Sequence, residues 1–353
     1  MPGQRDDSAP DGGRIEASDG RLSGATGQTR KDEDVTDRPL PGQGPRLSVV
    51  VPTRDRPSML EGCLRALDAA TGPHDEVVVV DSCSTDGATA DVARAHGVRV
   101  LRAPRPGASL ARNLGWRAAT GEVVAFVDDD VRVAPGWAEA MAAVFAAHGD
   151  ADFVTGRLGL RPEDEGKARP VAFFDEAEPF VIDASRVQDL HGANVAVRRS
   201  ALEAVGGYDE QLGPGARWRA AEDVDLIDRL LQSGRTGRYE PAAAAVHEQW
   251  RSRSDLVRLE WRYGIGLGAR LARLRRADPE RFRAVRRLTW RTSGIEDVGR
   301  SLRVGYQFGA LFVLVRLGGV AVGQLGAALG GLGPAPAPSP AARERGEGAG
   351  SGS

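Results

Sequence analysis

The chain has 353 residues, 41% of them apolar, and a formal net charge of −2. This length accommodates one large α/β domain or two average ones, and the near-neutral charge argues against a general nucleic-acid-binding protein. The chain has two cysteines, Cys63 and Cys83, which are too few for a disulfide-stabilised fold of this length. They do not form a Cys-x-x-Cys pair that would suggest zinc binding. The opening residues lack the apolar core of a secretory signal, so we expect a reducing, cytoplasmic setting.

Both ends of the chain are poor in aliphatic residues. Residues 1–46 and 334–353 are rich in Gly, Pro, Ser and charged residues. Such segments cannot bury enough apolar surface to offset the entropy lost on ordering, so we predict two disordered tails. Between them we expect the main folded domain at 47–250, an arginine-rich helical extension at 251–307 and an apolar helix at 308–333.

From Leu47 onward, short β-branched runs alternate with helical patterns. Helices are predicted after Pro57, after Asp86 and from about Ala108. The runs, typical of strands buried on both faces, are Leu47–Val51, Val77–Val80, Val98–Leu101 and Val123–Val127. Strict alternation requires right-handed crossovers between parallel strands. We therefore predict an α/β domain with a mainly parallel sheet flanked by helices.

Beyond Val127 the alternation is looser, and an irregular acidic stretch follows the next predicted strand. The elements predicted there are a helix near Gly136–Ala147, strands near Phe153–Leu160 and at Asn194–Val197, and a helix from Glu222 to Ser233.

Polar residues follow three of the first four predicted strands, where open parallel sheets bind their ligands. The first strand runs into Pro52-Thr53-Arg54-Asp55, the second ends at Asp81, and the fourth ends at Asp128-Asp129-Asp130. One acidic strand end is commonly a helix cap or a turn, but three on one edge favour a ligand site. In an extended segment Asp128 and Asp130 point the same way and could hold Mg²⁺ or Mn²⁺; a solvated turn is the alternative.

Four further side chains allow both a structural and a functional interpretation. Arg112 could pair with the aspartates or a phosphate, or be an ordinary surface arginine. Glu222 and Asp223 open a helix, where acidic residues complement the dipole, but a carboxylate there could also serve as a general base. His247, at the end of a small-residue run, is either structural or a further metal ligand.

Together these motifs resemble the family 2 glycosyltransferases of the GT-A fold, which are inverting enzymes that use nucleotide-diphospho-sugars. The resemblance covers Leu47 to Trp250, and it implies a Rossmann-like, mainly parallel sheet with a helical C-terminal extension. It rests on five motifs in family order, which are SVVVPTRDRP, VVVVDSCSTDG, PGASLARNLGWRAATGEVVAFVDDD, HGANVAVRRSALEAVGGYDE and AEDVDL.

The resemblance also implies roles for individual residues. Asp223 would be the catalytic base with Glu222 beside it to position the acceptor, and Asp130 with His247 would hold Mn²⁺ or Mg²⁺. Asp81 would face the base of a UDP- or GDP-sugar. The residues implied for nucleotide-sugar binding are Pro52, Arg54, Asp55, Asp81, Arg112, Asp128 and Asp129. Polymerising members carry Gln-x-x-Arg-Trp after the base helix, whereas here Arg217-Trp218 precedes it, so we expect transfer of a single sugar.

The segment from residue 251 to 303 contains 15 arginines and 6 acidic residues. It could lie on an anionic membrane surface or pack on the catalytic domain. Residues 308–333 are long enough to span a bilayer, yet they include Arg316 and Gln324, so anchoring and docking both remain open. Anchoring would place the enzyme at the cytoplasmic face of the plasma membrane, with a lipid-linked acceptor.

Three other functions compete with the glycosyltransferase interpretation. A sugar nucleotidyltransferase would need a glycine-rich loop after the first strand, and VVVPTRDRPSML has no glycine. A phosphatase normally places its Asp-x-Asp on the first strand, whereas Asp128 follows the fourth. A non-catalytic membrane-surface module is the third interpretation, in which the sheet is a scaffold and the arginines bind the membrane.

Overall fold

A computed structural model of the chain describes residues 45–70, 74–160, 174–187, 190–290 and 307–337. The two predicted disordered tails, 1–46 and 334–353, lie almost wholly outside the described residues. So do most of the acidic stretch after the predicted strand near Phe153–Leu160 and the end of the arginine-rich segment.

The described elements confirm the predicted strand–helix order. The strands are β1 Leu47–Thr53, β2 His74–Asp81, β3 Arg99–Arg102, β4 Val123–Val127, β5 Val131–Val133, β6 Ala151–Leu160, β7 Phe180–Ile182, β8 Asn194–Arg198 and β9 Thr236–His247. The helices are α1 Pro57–Ala69, α2 Ala88–Ala95, α3 Ala108–Ala118, α4 Trp137–Ala147, α5 Arg199–Val205, α6 Glu222–Gln232, α7 Arg253–Ala277, α8 Pro279–Trp290 and α9 Gln307–Gly330.

One sheet contains all nine of these strands, in the order β3-β2-β1-β4-β8-β6-β9-β5, with β7 added to β9. The first four are parallel to one another, as predicted, whereas β8 runs antiparallel to β4 and to β6. Apolar residues cover both faces of the sheet and form two large clusters. The parallel register pairs Thr53 with Asp81, so the polar strand ends share one edge.

Three short elements, β5, β7 and α5, have no counterpart in the sequence prediction, because runs of three to seven residues give too little periodicity to detect. Strand β5 matters for the site. It follows directly on the aspartate triplet and pairs antiparallel with the end of β9, with Val131 opposite His247. This pairing brings Asp130 and His247 together across 117 positions of sequence.

The C-terminal helices pack on the domain that contains the sheet and on each other. Helix α7 carries Gly264 and Gly268 where its backbone meets α9, and a Cβ at Gly268 would lie 2.2 Å from the Val320 carbonyl oxygen. Arg316 is the charged residue of the apolar helix. It donates to both carboxylate oxygens of Glu260 on α7, at 2.6 and 3.0 Å. The described part of the arginine-rich segment is therefore a docked extension.

Helix α9 is not fully covered by this packing. Its stretch Leu311–Gly330 is long and apolar enough to cross a membrane, and only 33% of it is buried. Leu314, Leu325 and Leu329 are 64%, 62% and 82% exposed.

Candidate active site

A cleft of about 830 Å³ opens at the carboxyl edge of the parallel strands, a volume suited to a small-molecule ligand. Its walls come from the ends of β1, β4 and β9, the starts of α3 and α6, and α7. Among the predicted site residues, those that line the cleft are Pro52, Arg54, Asp55, Arg112, Asp128, Asp129, Asp130, Glu222, Asp223 and His247. Asp81 does not line it.

Asp81 instead stabilises the loop that follows β2. Its buried carboxylate accepts the Ser84 backbone N–H at 2.8 Å and the Arg102 guanidinium at 2.7 Å. These bonds hold the loop after β2 in place, and Ser82, next along the chain, lines the cleft.

The aspartate triplet forms a turn, because the Val131 N–H donates to the Asp128 carbonyl oxygen at 3.1 Å. The expectation that an extended segment would point Asp128 and Asp130 the same way was therefore wrong. The half-buried Asp128 accepts from Arg112 at 2.7 Å, whereas the buried Asp130 faces β9 and the segment that follows it.

Asp129 is the most enclosed of the three carboxylates. It accepts the Thr53 hydroxyl at 2.8 Å and the Arg56 guanidinium at 2.9 Å. Burial raises the pKa of Asp129 in spite of Arg56. These bonds connect the aspartate triplet to the end of β1 and to Arg56, so Asp129 stabilises the conformation of the site.

Asp130 sits among positively charged side chains. Its Oδ2 accepts Trp250 Nε1 at 2.8 Å, Arg56 at 3.2 Å and Arg251 at 3.3 Å. Burial alone would raise the pKa of Asp130, but the charges of His247 and Arg56 outweigh that effect and lower it.

His247 completes this cluster from the end of β9. Its Nε2 lies 3.4 Å from Asp130 Oδ1, and its Nδ1 lies 3.2 Å from the Glu248 carbonyl oxygen. A carbonyl oxygen only accepts, so Nδ1 carries a hydrogen. Nε2 either carries a second hydrogen and donates it to Asp130 or, in the neutral ring, offers a lone pair that a metal ion could bind.

Arg112 links the two acidic parts of the site. Its buried guanidinium donates to Asp128 at 2.7 Å and to Glu222 at 3.1 Å, and it lies 5.3 Å above the Tyr208 ring. The alternative of an ordinary surface arginine is excluded by this burial.

Glu222 and Asp223 open α6 in different environments. Burial and the neighbouring charge of Asp223 raise the pKa of Glu222 from its ordinary value of 4.5 to about 7. Asp223 is half-buried on the cleft wall, and its Oδ2 accepts the Gly192 N–H at 3.1 Å. A Cβ at Gly192 would lie 2.7 Å from the Asp223 Cβ, so only glycine allows this approach.

Comparison with known proteins identifies the family. Residues 48–206 match the family model described as Glycosyl transferase family 2. Residues 48–206 of this chain therefore form a family 2 glycosyltransferase domain. The mainly parallel first half of the sheet, the flanking helices and the helical C-terminal extension agree with the architecture that the resemblance implied.

Relatives of this chain include the pre-mycofactocin glycosyltransferase of Mycobacterium tuberculosis, which is 33% identical over 249 residues, or 66% of this chain and 50% of the relative. Glycosyltransferase AglE of Haloferax volcanii is 26% identical over 232 residues, or 63% of this chain and 73% of the relative. The chain thus spans about half the length of the first of these. A solved mannosyltransferase from Pyrobaculum calidifontis, in complex with GDP-Man and Mn²⁺, is 24% identical with TM-score 0.49, covering 88% of this chain and 82% of that one.

Sequence reasoning missed several residues of the family 2 site. Thr53, Arg56, Trp250 and Arg251 all bond the aspartate triplet. Trp250 also lies between Arg56 and Arg251, whose guanidinium carbons are 5.2 and 4.5 Å from its ring. Arg56 and Thr53 stood inside a motif already noted, but their partners lie more than 70 positions away, and no local pattern reveals such pairs.

Proposed function

We propose that this chain is an inverting, non-processive glycosyltransferase that moves one sugar from a UDP- or GDP-sugar to an acceptor hydroxyl. The observation that carries the proposal is the contrast at the start of α6. Glu222 is held by Arg112, whereas Asp223 faces the cleft and accepts only backbone N–H groups among the described residues. The relatives' names support the transferase class.

Asp223 is suited to the role of general base. The N-terminus of a helix favours a negative charge, and the Gly192 N–H holds one carboxylate oxygen without neutralising it. The fixed Glu222 leaves Asp223 as the carboxylate able to reach an acceptor hydroxyl, and we assign Glu222 to positioning that acceptor.

The donor is assigned to the strand-end side of the cleft. Pro52, Arg54 and Asp55 line this end, where open sheets place nucleotides. Asp128, held by Arg112, is placed to accept ribose hydroxyls. Asp81 and Asp129 act indirectly, because their carboxylates brace the loops that form the nucleotide pocket.

The residues present fit a divalent cation. Among the described residues no three His, Cys, Asp or Glu side chains form a metal cluster, but Mg²⁺ and Mn²⁺ are commonly held by one or two protein ligands with phosphates filling the rest. Asp130 Oδ1 and the His247 Nε2 lone pair, 3.4 Å apart, are close to the ~3 Å between adjacent ligands of an octahedral ion. Held there, the ion would offset the charge of the departing diphosphate.

The chemical step is a single displacement. Asp223 accepts the proton of the acceptor hydroxyl as its oxygen bonds to the anomeric carbon. The bond from that carbon to the diphosphate oxygen breaks, and its electron pair leaves with the nucleoside diphosphate. Attack opposite the leaving group inverts the configuration, and no second carboxylate is required as a nucleophile.

A nucleotide-sugar panel tests this proposal. Donor binding and hydrolysis are measured with Mn²⁺, with Mg²⁺ and with EDTA. We expect one nucleotide class to bind and hydrolyse in the presence of metal, and both signals to disappear with EDTA. The variants Asp130→Ala and His247→Ala should lose metal-dependent binding, while the surface controls Asp91→Ala and His148→Ala retain it. Folded protein that binds no sugar nucleotide would refute the assignment.

We also propose that the enzyme works at an anionic, cytoplasmic membrane surface on a lipid-linked acceptor. The exposed leucines of α9 provide an apolar face, and Arg276 bonds the Ala327 carbonyl oxygen at 2.8 Å, which places a guanidinium beside that helix. Such a pairing of apolar and basic groups suits an interfacial helix. Sedimentation with phosphatidylglycerol vesicles tests it: Leu314→Glu with Leu325→Glu should abolish pelleting, and equal pelleting would refute it.

A further inference from the structure

A second cavity lies beside the cleft, along the seam between α7 and α9. This seam groove, of about 350 Å³, is lined by Val257, Trp261 and Val315 on its apolar side and by Arg219, Arg258 and Arg262 on its basic side. Arg219 and Arg262 also line the cleft. The two cavities therefore meet at these two arginines, and no acidic side chain lies among the described residues that line the groove.

Arg219 and Arg262 differ from the neighbouring Arg258 in having no charged partner among the described residues. Within the described part of the chain, neither makes a hydrogen bond or an ion pair, whereas Arg258 pairs with Asp255 at 3.2 Å. Both side chains are exposed. Two uncompensated guanidinium groups close together favour a ligand that carries phosphate.

The backbone holds these arginines together at some conformational cost. Arg219 has φ +59° and Ala221 has φ +69°, both in the left-handed region that non-glycine residues rarely occupy. Residues 218–220 rest directly on α7, where a Cβ at Gly266 would lie 2.4 Å from the Ala220 carbonyl oxygen. Arg262 is one helical turn before Gly266, so the two arginines start from the same small area. Unusual backbone of this kind is concentrated at functional sites.

We infer that the seam groove binds the acceptor, and that the acceptor is a phosphorylated amphiphile. The phosphate would lie between Arg219 and Arg262, whose planar guanidinium groups suit phosphate oxygens. The apolar chain would lie along Val257, Trp261 and Val315, and burial of each methylene there favours binding.

This inference rests on the proposed function, and chain connectivity links the two sites. Arg219 is four residues before Asp223, so a molecule held by the arginines extends its hydroxyl-bearing end into the cleft. Val315, which lines the groove on its apolar side, directly follows the exposed Leu314 on α9. A chain embedded in a membrane at that face would thus enter the groove with its phosphate leading.

Dodecyl phosphate, kept below its micelle concentration, serves as the probe in equilibrium dialysis with the full chain. We expect saturable binding that weakens at least tenfold in Arg219→Gln with Arg262→Gln, and less than twofold in Arg275→Gln, an exposed α7 arginine outside the groove. Val257→Asp should also weaken binding. Equal binding in the double variant would overturn the inference, and so would inorganic phosphate that competes as strongly as the alkyl phosphate.

Two further measurements separate the alternatives. If the double variant binds dodecyl phosphate normally but no longer pellets with phosphatidylglycerol vesicles, the arginines contact bulk lipid and the groove assignment is wrong. UDP and GDP binding with Mn²⁺ is measured on the same preparations. Nucleotide binding without dodecyl phosphate binding refutes the acceptor inference alone, whereas absence of nucleotide binding and donor hydrolysis refutes the proposed function.

Discussion

Helix α6 carries several acidic residues. Asp223, near its start, differs in its partners from Asp225 and Asp228, which lie further along the helix. Asp228 is bound by Arg270 and Arg281 of the C-terminal helices, and Asp225 pairs with Arg229 and Arg273. Asp223, on the same helix, accepts only backbone N–H groups among the described residues.

The difference shows that aspartates a few positions apart on one helix can have different roles, one structural and one chemical. A buried carboxylate saturated by guanidinium groups is fixed and fastens helices together, and removing one partner leaves an uncompensated charge. A carboxylate on a cleft wall that is bonded only to backbone N–H groups has lone pairs left with which to accept a proton. Solvent access and arginine partners decide the role.

The largest expected effect is on chemistry. Asp223→Asn removes the proposed base and should lower the rate of nucleoside diphosphate release about 10³-fold, with nucleotide affinity unchanged. Steady-state kinetics and nucleotide titration measure the two quantities. A rate within threefold of the wild type would contradict the base assignment.

Asp228→Asn should act on stability. Loss of the charge that Arg270 and Arg281 share leaves the buried Arg270 and the half-buried Arg281 without this anionic partner, so the free energy of unfolding should fall by about 3 kcal/mol. Urea denaturation measures it, and Asp91→Asn, which removes an exposed pair with Arg94, is the control with an expected change of about 0.5 kcal/mol or less. Equal values for both variants would show that Asp228 does not fasten α7 and α8.

A third prediction concerns pH. Because the pKa of Glu222 is raised from 4.5 to about 7, the folded chain holds a proton in that interval that the unfolded chain releases. Stability of the wild type therefore falls as pH rises from 5 to 8, whereas Glu222→Gln has no proton to lose. The unfolding free energy of the variant relative to wild type should increase by about 2 kcal/mol over this range. A pH-independent difference would contradict the raised pKa.

The smallest effect is expected from Gly192→Ala. The added Cβ would meet Asp223 at 2.7 Å and shift the base, so the rate should drop about tenfold, or roughly 1.4 kcal/mol, with little change in thermal stability. Gly149→Ala, where the added Cβ meets nothing within 4 Å, is the matched control. If both variants keep the wild-type rate, Asp223 does not depend on the 190–192 loop.

Much of the fold could be predicted from the sequence, because its parallel strands are buried on both faces and read as continuous β-branched runs. Strand β4 was predicted with its observed bounds, Val123–Val127. The cleft-lining residues were predicted because parallel strands place their carboxyl ends on one edge. The short strand β5 was missed, since three residues carry no periodicity.

Tertiary structure decided what each polar side chain contacts. The motif Asp128-Asp129-Asp130 reads as three equivalent carboxylates, yet the turn directs them to Arg112, to Thr53 and to His247 respectively. Likewise, the arginine-rich pattern left docking and membrane binding open, and the pairing of Arg270 with Asp228 decided for docking of its described part. Local periodicity reports which elements form, whereas ion pairs between residues far apart in sequence depend on packing, and only the folded chain brings such residues together.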